Sequence, residues 1–348
     1  VIPTERDDRS PDPSCVDHST RRLEDISPTV TPVSTGEERT KSRSVAIEVD
    51  LTAVIVAVTD DVPRILTVSS DVGEMLPSGS LDPLDDRTLE LGMRRWVREQ
   101  TGIELGYLEQ LYTYGDRDRF PDRDRRVLSI AYLALVREQP VVGAGSPQWR
   151  AWYDHLPWED WRGGRPGIVE GVIMPALSRW VAEGSDSNRS ERVAIAFGTG
   201  GSPWDSVRVL DRYELLYGAG CVPEARSASG RTDDLGETLG RPMALDHRRI
   251  VGSALERLRG KLSYRPVVFE LLAETFTLNQ LLRVVEALVG HRLHKPNFRR
   301  LVEQGQLVER TGLVDQQTGG RPAELFRFRR EVLRERPAPG VGLPRRSR

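Results

Sequence analysis

At 348 residues, with 38% hydrophobic and 29% charged residues, the chain has room for two or three ordinary globular domains with a sizeable core. Its 50 basic and 52 acidic residues leave a net charge of −2, and its two cysteines, Cys15 and Cys221, exclude a disulfide framework or a cysteine-based zinc site. No apolar run approaches the ~20 residues of a membrane helix and no basic-then-apolar leader opens the sequence, so a cytoplasmic location and no membrane partner are expected.

Residues 1–44 are rich in Pro, Ser, Thr and charged side chains without apolar periodicity, and are expected to be a disordered tail. A folded domain is expected over residues 45–157. Within it, 51–58 is a continuous, β-branched apolar run of the kind a buried strand requires, and 64–68 makes a second strand after a turn. Residues 88–100 read as a helix with Leu89, Met93, Trp96 and Val97 on its apolar side and Gly102 as its stop; 108–114 and 127–136 are further strands. Mixed strands around one helix point to an α+β sandwich. The stretch 107–126 offers Tyr112, Tyr114 and Phe120 for stacking on a base, and Arg117, Arg119, Arg123 and Arg125 for phosphates. Alternating Arg and Asp is equally the pattern of a solvated loop.

Residues 158–240 read as an inserted, mixed segment. It opens inside a run with five aromatics in thirteen residues, 149–161, more often a core or an interface than a cofactor site. Helices are expected over 168–182 and from Ser202 or Asp205 to Tyr217, with a short strand at 193–197 and a floppy polar stretch at 226–237.

A last domain is expected over residues 241–333. Asp246 caps a helix running to about Arg259, with Ile250, Leu255 and Leu258 inward, and His247 reads as a capping or interface residue rather than a metal ligand. Thr277 with Gln280 three residues later forms a capping box. Leu278, Leu281, Leu282, Val285 and Val289 then follow at helical spacing until Gly290. A second helix has Pro296 in its first turn, Phe298, Leu301 and Val302 on its apolar side, and Lys295, Asn297, Arg299 and Arg300 near its start. Strands at 306–310 and 323–328 flank a Gly-Gly-Arg-Pro turn that carries Arg321. Helix, tight turn, basic helix and basic hairpin is the plan of a winged helix-turn-helix. The charge agrees: residues 247–336 hold 18 basic against 10 acidic residues, leaving 32 against 42 for the remainder. Residues 334–348 are a basic, Pro-rich tail, expected to be mobile.

The run from Lys261 to Glu309, together with GGRPAELFRF after it, closely resembles the C-terminal domain of the Nudix-related transcriptional regulators. The resemblance covers about residues 45–135 and 241–330. It implies a Nudix-like α/β/α sandwich followed by a winged helix-turn-helix. The second half of the Nudix box falls on Arg95–Ile103, where Arg95, Val97, Glu99, Gly102 and Ile103 keep the pattern. Trp96 and Gln100 stand where the family has Glu, and the stretch from Gly79 to Arg95 is two residues longer than the pattern.

A Nudix hydrolase holds Mg²⁺ with clustered carboxylates, and hard cations need anionic oxygen ligands. One surviving Glu beside an indole and an amide leaves too little charge, so no catalytic residue, no metal and no cofactor are expected. The resemblance implies instead a sensor of ADP-ribose or a related NAD metabolite, a homodimer, and a double-stranded DNA operator. The expected ligand residues are Arg95, Glu99, Tyr112, Tyr114, Arg117 and Arg119. The expected DNA-binding residues are Thr277, Lys295, Asn297, Arg299, Arg300 and Arg321. An ADP-ribose pyrophosphatase-like hydrolase is the alternative, and an interaction module built on the aromatic run is a third reading.

Overall fold

Alternation along one long strand sets the architecture. In a computed structural model, which describes residues 46–116, 125–184, 186–225, 238–316 and 322–341, β1 (Ala46–Thr59) crosses the middle of a seven-stranded sheet. It pairs in parallel with β6 (Arg125–Leu135) and antiparallel with β2 (Val62–Ser70) and β4 (Ser78–Ser80). The order β3-β2-β1-β6-β5 is completed by β3 (Gly73–Met75) and β5 (Tyr107–Tyr114), and β7 (Gln148–Ala151) adds to β2. Successive side chains of a strand point to opposite faces. Leu51, Ala53, Ile55 and Ala57 therefore meet Met93 and Val97 of α1 (Leu89–Thr101) on one face. Val54 and Val56 face the other way, into a second and larger core.

That second core joins the sheet to everything that follows. It takes in α2 (Trp152–His155), a π turn at Val169–Ile173, and the helices α3 (Met174–Glu183), α4 (Asn188–Phe197) and α5 (Val209–Gly218). It continues through α6 (His247–Leu262) into α7 (Leu278–Val289), α8 (Lys295–Gln304) and the wing. The layers are thus helix, sheet, helices, with a winged helix packed on the last layer. The wing is the antiparallel pair β9 (Val308–Asp315) and β10 (Ala323–Phe328), with β8 (Phe276–Thr277) on its inner edge. A short α9 (Val332–Glu335) closes the domain.

Four local expectations are corrected. Residues 193–197 are not a strand but the end of α4: Val193, Ala196 and Phe197 turn inward at helical spacing, and Gly198 ends the helix at φ +62. The helix expected from 168 becomes regular only at Met174, because Pro175 lacks an N–H and crowds the carbonyl of the preceding turn. The first wing strand begins at Val308 and runs on to Asp315, since Gln306 sits at φ +48 and breaks the ladder. Asp246 occupies the N-cap position of α6 without a capping side-chain bond. The tail is also more ordered than expected as far as Val341, which is 1% exposed and donates its N–H to the Leu262 carbonyl at 2.9 Å. Residues 1–44, 226–237 and 342–348 lie outside the described residues.

All seven tryptophans precede α6, so the winged helix carries none. Leu288, fully buried in α7, nevertheless belongs to the core that holds Trp152 and Trp158. Leu288→Ala is expected to cost about 2–5 kcal/mol. Tryptophan fluorescence and far-UV circular dichroism should both shift to the same lower urea midpoint. A fluorescence midpoint left at the wild-type value would mean the two parts unfold separately.

Candidate functional site

The winged helix is built on local chemistry. Thr277 Oγ1 accepts the Gln280 N–H at 3.1 Å while Gln280 Oε1 accepts the Thr277 N–H at 2.7 Å, and Gly290 at φ +75 ends α7. The turn to α8 is held by Glu286, which accepts from the Leu293 N–H and from Arg292, both at 2.8 Å. Phe298 and Val302 anchor α8 in the core, leaving Lys295, Arg299, Arg300 and Glu303 on its open side. With Arg310, Glu324 and Phe326 of the wing they border a cleft of ≈ 530 Å³. Lys295 Nζ donates to Asn279 Oδ1 at 3.1 Å, Arg300 donates to Asn297 Oδ1 at 2.7 Å, and Arg310 lies 3.2 Å from Glu324. A helix and a hairpin carrying exposed guanidinium groups toward one cleft suit the phosphates and base edges of a duplex.

Of the expected DNA-binding residues, Lys295, Asn297, Arg299 and Arg300 come together on α8. Thr277 does not join them: it is 5% exposed and its hydroxyl is committed to the cap. Arg321 lies outside the described residues. Arg310 and Asn279 also approach α8, which local spacing does not reveal because it depends on how the hairpin and α7 fold over it.

In the first domain Trp96 and Gln100 have definite partners. Gln100 Oε1 accepts the Ser78 N–H at 3.1 Å and its Nε2 donates to the Ser78 carbonyl at 2.7 Å. Trp96 Nε1 donates to the Ser80 carbonyl at 2.9 Å, and a Cβ on Gly79 would run into the Trp96 ring. Both side chains thus fasten α1 to β4. Arg95 grips Asp86 with two bonds of 3.1 and 2.8 Å, lies 3.7 Å from Glu99, and sits 4.7 Å from the Trp96 ring centroid. The Arg95 bond holds the Asp86 carboxyl below its ordinary range. The pair's stabilisation is therefore present above the ordinary Asp pKa and is lost as pH falls through the lowered one.

The expected ligand residues are divided by the sheet. Arg95 and Glu99 are on α1, against one face. Tyr114 is 6% exposed on the other face, where its hydroxyl meets Ser253 Oγ at 2.6 Å, so it has no free ring to stack on a base. Tyr112 is exposed, with the Arg257 guanidinium 5.3 Å from its ring centroid. A bulge between Gln110 and Thr113 shifts the alternation of β5, which is why Leu111 and Tyr114 share a face. Arg117, Arg119 and Phe120 lie outside the described residues, as do Arg123 and the Arg125 side chain.

What β5 faces is α6. Arg249, Ser253, Arg257 and Lys261 recur every fourth residue, and i, i+4 positions share one helix face. They meet Asp116 at 2.5 Å, Tyr114, then Glu109 at 3.3 Å, and finally Glu109 again with Tyr107. Burial pushes the Glu109 carboxyl up, but the bonds from Lys261 and Tyr107 outweigh it and the net shift is downward. His247 Nδ1, at the start of the same helix, accepts the Leu76 N–H at 2.9 Å, which makes it an interface residue. The aromatic run is core as well: Trp152 and Trp158 are fully buried and Trp161 stacks on Trp204 with centroids 3.9 Å apart.

Residues 268–328 match the family model of the NrtR DNA-binding winged helix domain. This part of the chain is similar to that domain and has its winged-helix fold. Over 82% of its length the chain shares its fold with 94% of Shewanella oneidensis NrtR, solved in complex with a 27mer DNA, with a TM-score of 0.52 at 23% identity. A second structure of the same protein gives 0.50 at 22% identity over 82% and 95%. The chain thereby has the fold of that protein, a mixed α/β domain followed by a winged helix. The ADPR responsive transcriptional repressor NtrR of Acinetobacter baylyi is 38% identical over 88 residues, which are 25% of this chain and 34% of that protein. The chain thus spans about a third of the length of this curated relative.

Gln100 gives a direct test of how α1 is fastened. Gln100→Glu replaces the donor to the Ser78 carbonyl with a carboxylate oxygen and should lower stability by about 1–3 kcal/mol at pH 7.5. The penalty relative to wild type should shrink at pH 5, where a protonated carboxyl can donate again. Equal thermal midpoints for both proteins at pH 7.5 would refute the assignment.

Proposed function

We propose that the chain is a transcriptional regulator that binds double-stranded DNA through its NrtR-type winged helix and senses ADP-ribose, or a related nucleotide of NAD metabolism, through a Nudix-like domain without catalytic activity. The observation that carries the reading is the cleft of Lys295, Arg299, Arg300 and Arg310 between an open helix face and the wing. Asn297 and Arg299 are assigned to base edges. Lys295, Arg300 and Arg321 are assigned to phosphates. Two copies would present two such helices to a palindromic operator, because a two-fold dimer reads two half-sites. A protein with this partner acts in the cytoplasm.

The base and phosphate assignments separate in titrations of alanine variants against two duplexes, one selected by the wild type from a random library and one scrambled. Losing a base contact should cost about 1–3 kcal/mol on the selected duplex alone. Losing a phosphate contact should weaken both duplexes and flatten the salt dependence by about one unit of slope. Wild-type affinity for both duplexes in every variant would remove α8 from the DNA.

Two observations support sensing without hydrolysis. Trp96 and Gln100 are bonded to β4 where acids would hold a metal, and Glu99 lies beside Arg95. The A. baylyi relative is ADPR responsive by name. A ligand that binds only the folded state raises its stability, by about 2.7 kcal/mol at a hundred times Kd. ADP-ribose should therefore raise the thermal midpoint and should not be turned over with Mg²⁺ or Mn²⁺. Release of AMP and ribose 5-phosphate that disappears in Glu99→Gln would favour the hydrolase instead.

A further inference from the structure

The end of α7 is held from outside. The last carbonyls of a helix have no partner within it. Here the Tyr153 hydroxyl donates to the Ala287 carbonyl at 2.7 Å, Arg259 Nε to the Leu288 carbonyl at 3.0 Å, and the Trp161 N–H to the Gly290 carbonyl at 2.6 Å. Two of these donors belong to the aromatic segment and one to α6. Arg259 also reaches the Tyr153 hydroxyl at 3.3 Å and links this helix end to Glu159. Its carboxylate takes Arg259 at 2.6 Å and Arg212 of α5 at 2.6 and 2.8 Å, and its own carbonyl takes Arg259 at 3.0 Å. Glu159, Arg212 and Arg259 are each no more than 1% exposed.

Two buried guanidinium groups share one carboxylate, so the cluster carries a surplus positive charge. That surplus lies at the C-terminus of α7, where the helix dipole is negative. The seam is also close-fitting: a Cβ on Gly290 would overlap Arg259 and the Glu159 carbonyl. Residues 291–294 separate this point from α8, and Glu286 fixes them. The middle of α7 is held to the first domain more loosely. Arg283 meets Asp61 at 3.0 Å, but the side chains are 54% and 43% exposed, and they border a groove of ≈ 860 Å³. Exposed pairs of this kind contribute little, whereas breaking a buried pair is strongly destabilising.

We infer that the segment between the two family domains positions the DNA-reading helix, with Glu159 as the hub and Tyr153 and Arg259 as positioning residues that act through the carbonyls of α7. The inference rests on the DNA-binding reading above. None of the three touches DNA; they fix the angle at which α8 leaves the body. Such residues control discrimination between sequences and leave the count of phosphate contacts unchanged.

The test uses the full chain, the duplex selected by the wild type from a random library, and a scrambled duplex of the same composition. Tyr153→Phe removes one hydroxyl and keeps the ring; Arg259→Lys keeps the charge and loses the fork. The ratio of the two affinities is expected to fall by about tenfold for Arg259→Lys, the scale of one lost base contact, and by less for Tyr153→Phe, with the salt slope of each complex unchanged. If Arg259→Lys does not fold, Tyr153→Phe decides. A ratio that stays at the wild-type value in the folded variants, whatever their thermal midpoints, overturns the inference and makes the seam structural only. A wild type that selects no sequence instead removes the DNA-binding reading, and the inference with it.

Discussion

One carboxylate, that of Glu159, decides how this chain holds together. It sits between Arg212 and Arg259 with no access to water, and each guanidinium spends its remaining donors on carbonyls: Ala196 and Asp205 for Arg212, Ser206 and Leu288 for Arg259. Burial of charge is costly unless the ions are paired and their hydrogen bonds complete. Here every oxygen of the carboxylate is taken, and α5, α6 and α7 are tied at one point. Replacing the trio with apolar residues of similar volume need not weaken the fold, but it would remove the donors that satisfy those carbonyls. The network therefore specifies an arrangement more than it supplies stability.

The helix that carries Arg259 is also the one that reads the sheet. One face of α6 meets β5 through Arg249, Ser253, Arg257 and Lys261. Its other faces bury Ile250, Leu255, Leu258 and Arg248, the last paired with Glu224 at 2.6 Å. A displacement of the β5 edge cannot be absorbed in a loop before it reaches α6, since the contacts are side chain to side chain. From α6 the next partner is the end of α7, and from there α8. The first domain and α8 are thus joined through packed elements with few soft joints, the physical condition for a change in one to alter the other.

How much of this was legible depended on whether the signal was local. The capping box of Thr277 and Gln280, the stop at Gly290 and the proline in the first turn of α8 are written within a few residues, and the winged helix followed from them. The bonds of Trp96 and Gln100 to Ser80 and Ser78, by contrast, were not legible. The Glu159 hub left no trace, because its partners lie 53 and 100 residues away and an isolated Glu or Arg reads as surface. Tyr114 was misplaced for a related reason: a single bulge in β5 reverses the alternation, and a bulge depends on the partner strand. The run Val193–Phe197 was too short for its apolar residues to distinguish a strand from the last turn of a helix.

Whether the proposed ADP-ribose and DNA sites are energetically joined is measured most directly by linkage. The affinity for the selected duplex is measured with and without saturating ADP-ribose, and the affinity for ADP-ribose with and without saturating duplex. The account predicts the same factor in both directions, different from one and typically about 5–150-fold for coupled sites. Tight binding of both ligands with a factor of one would contradict it.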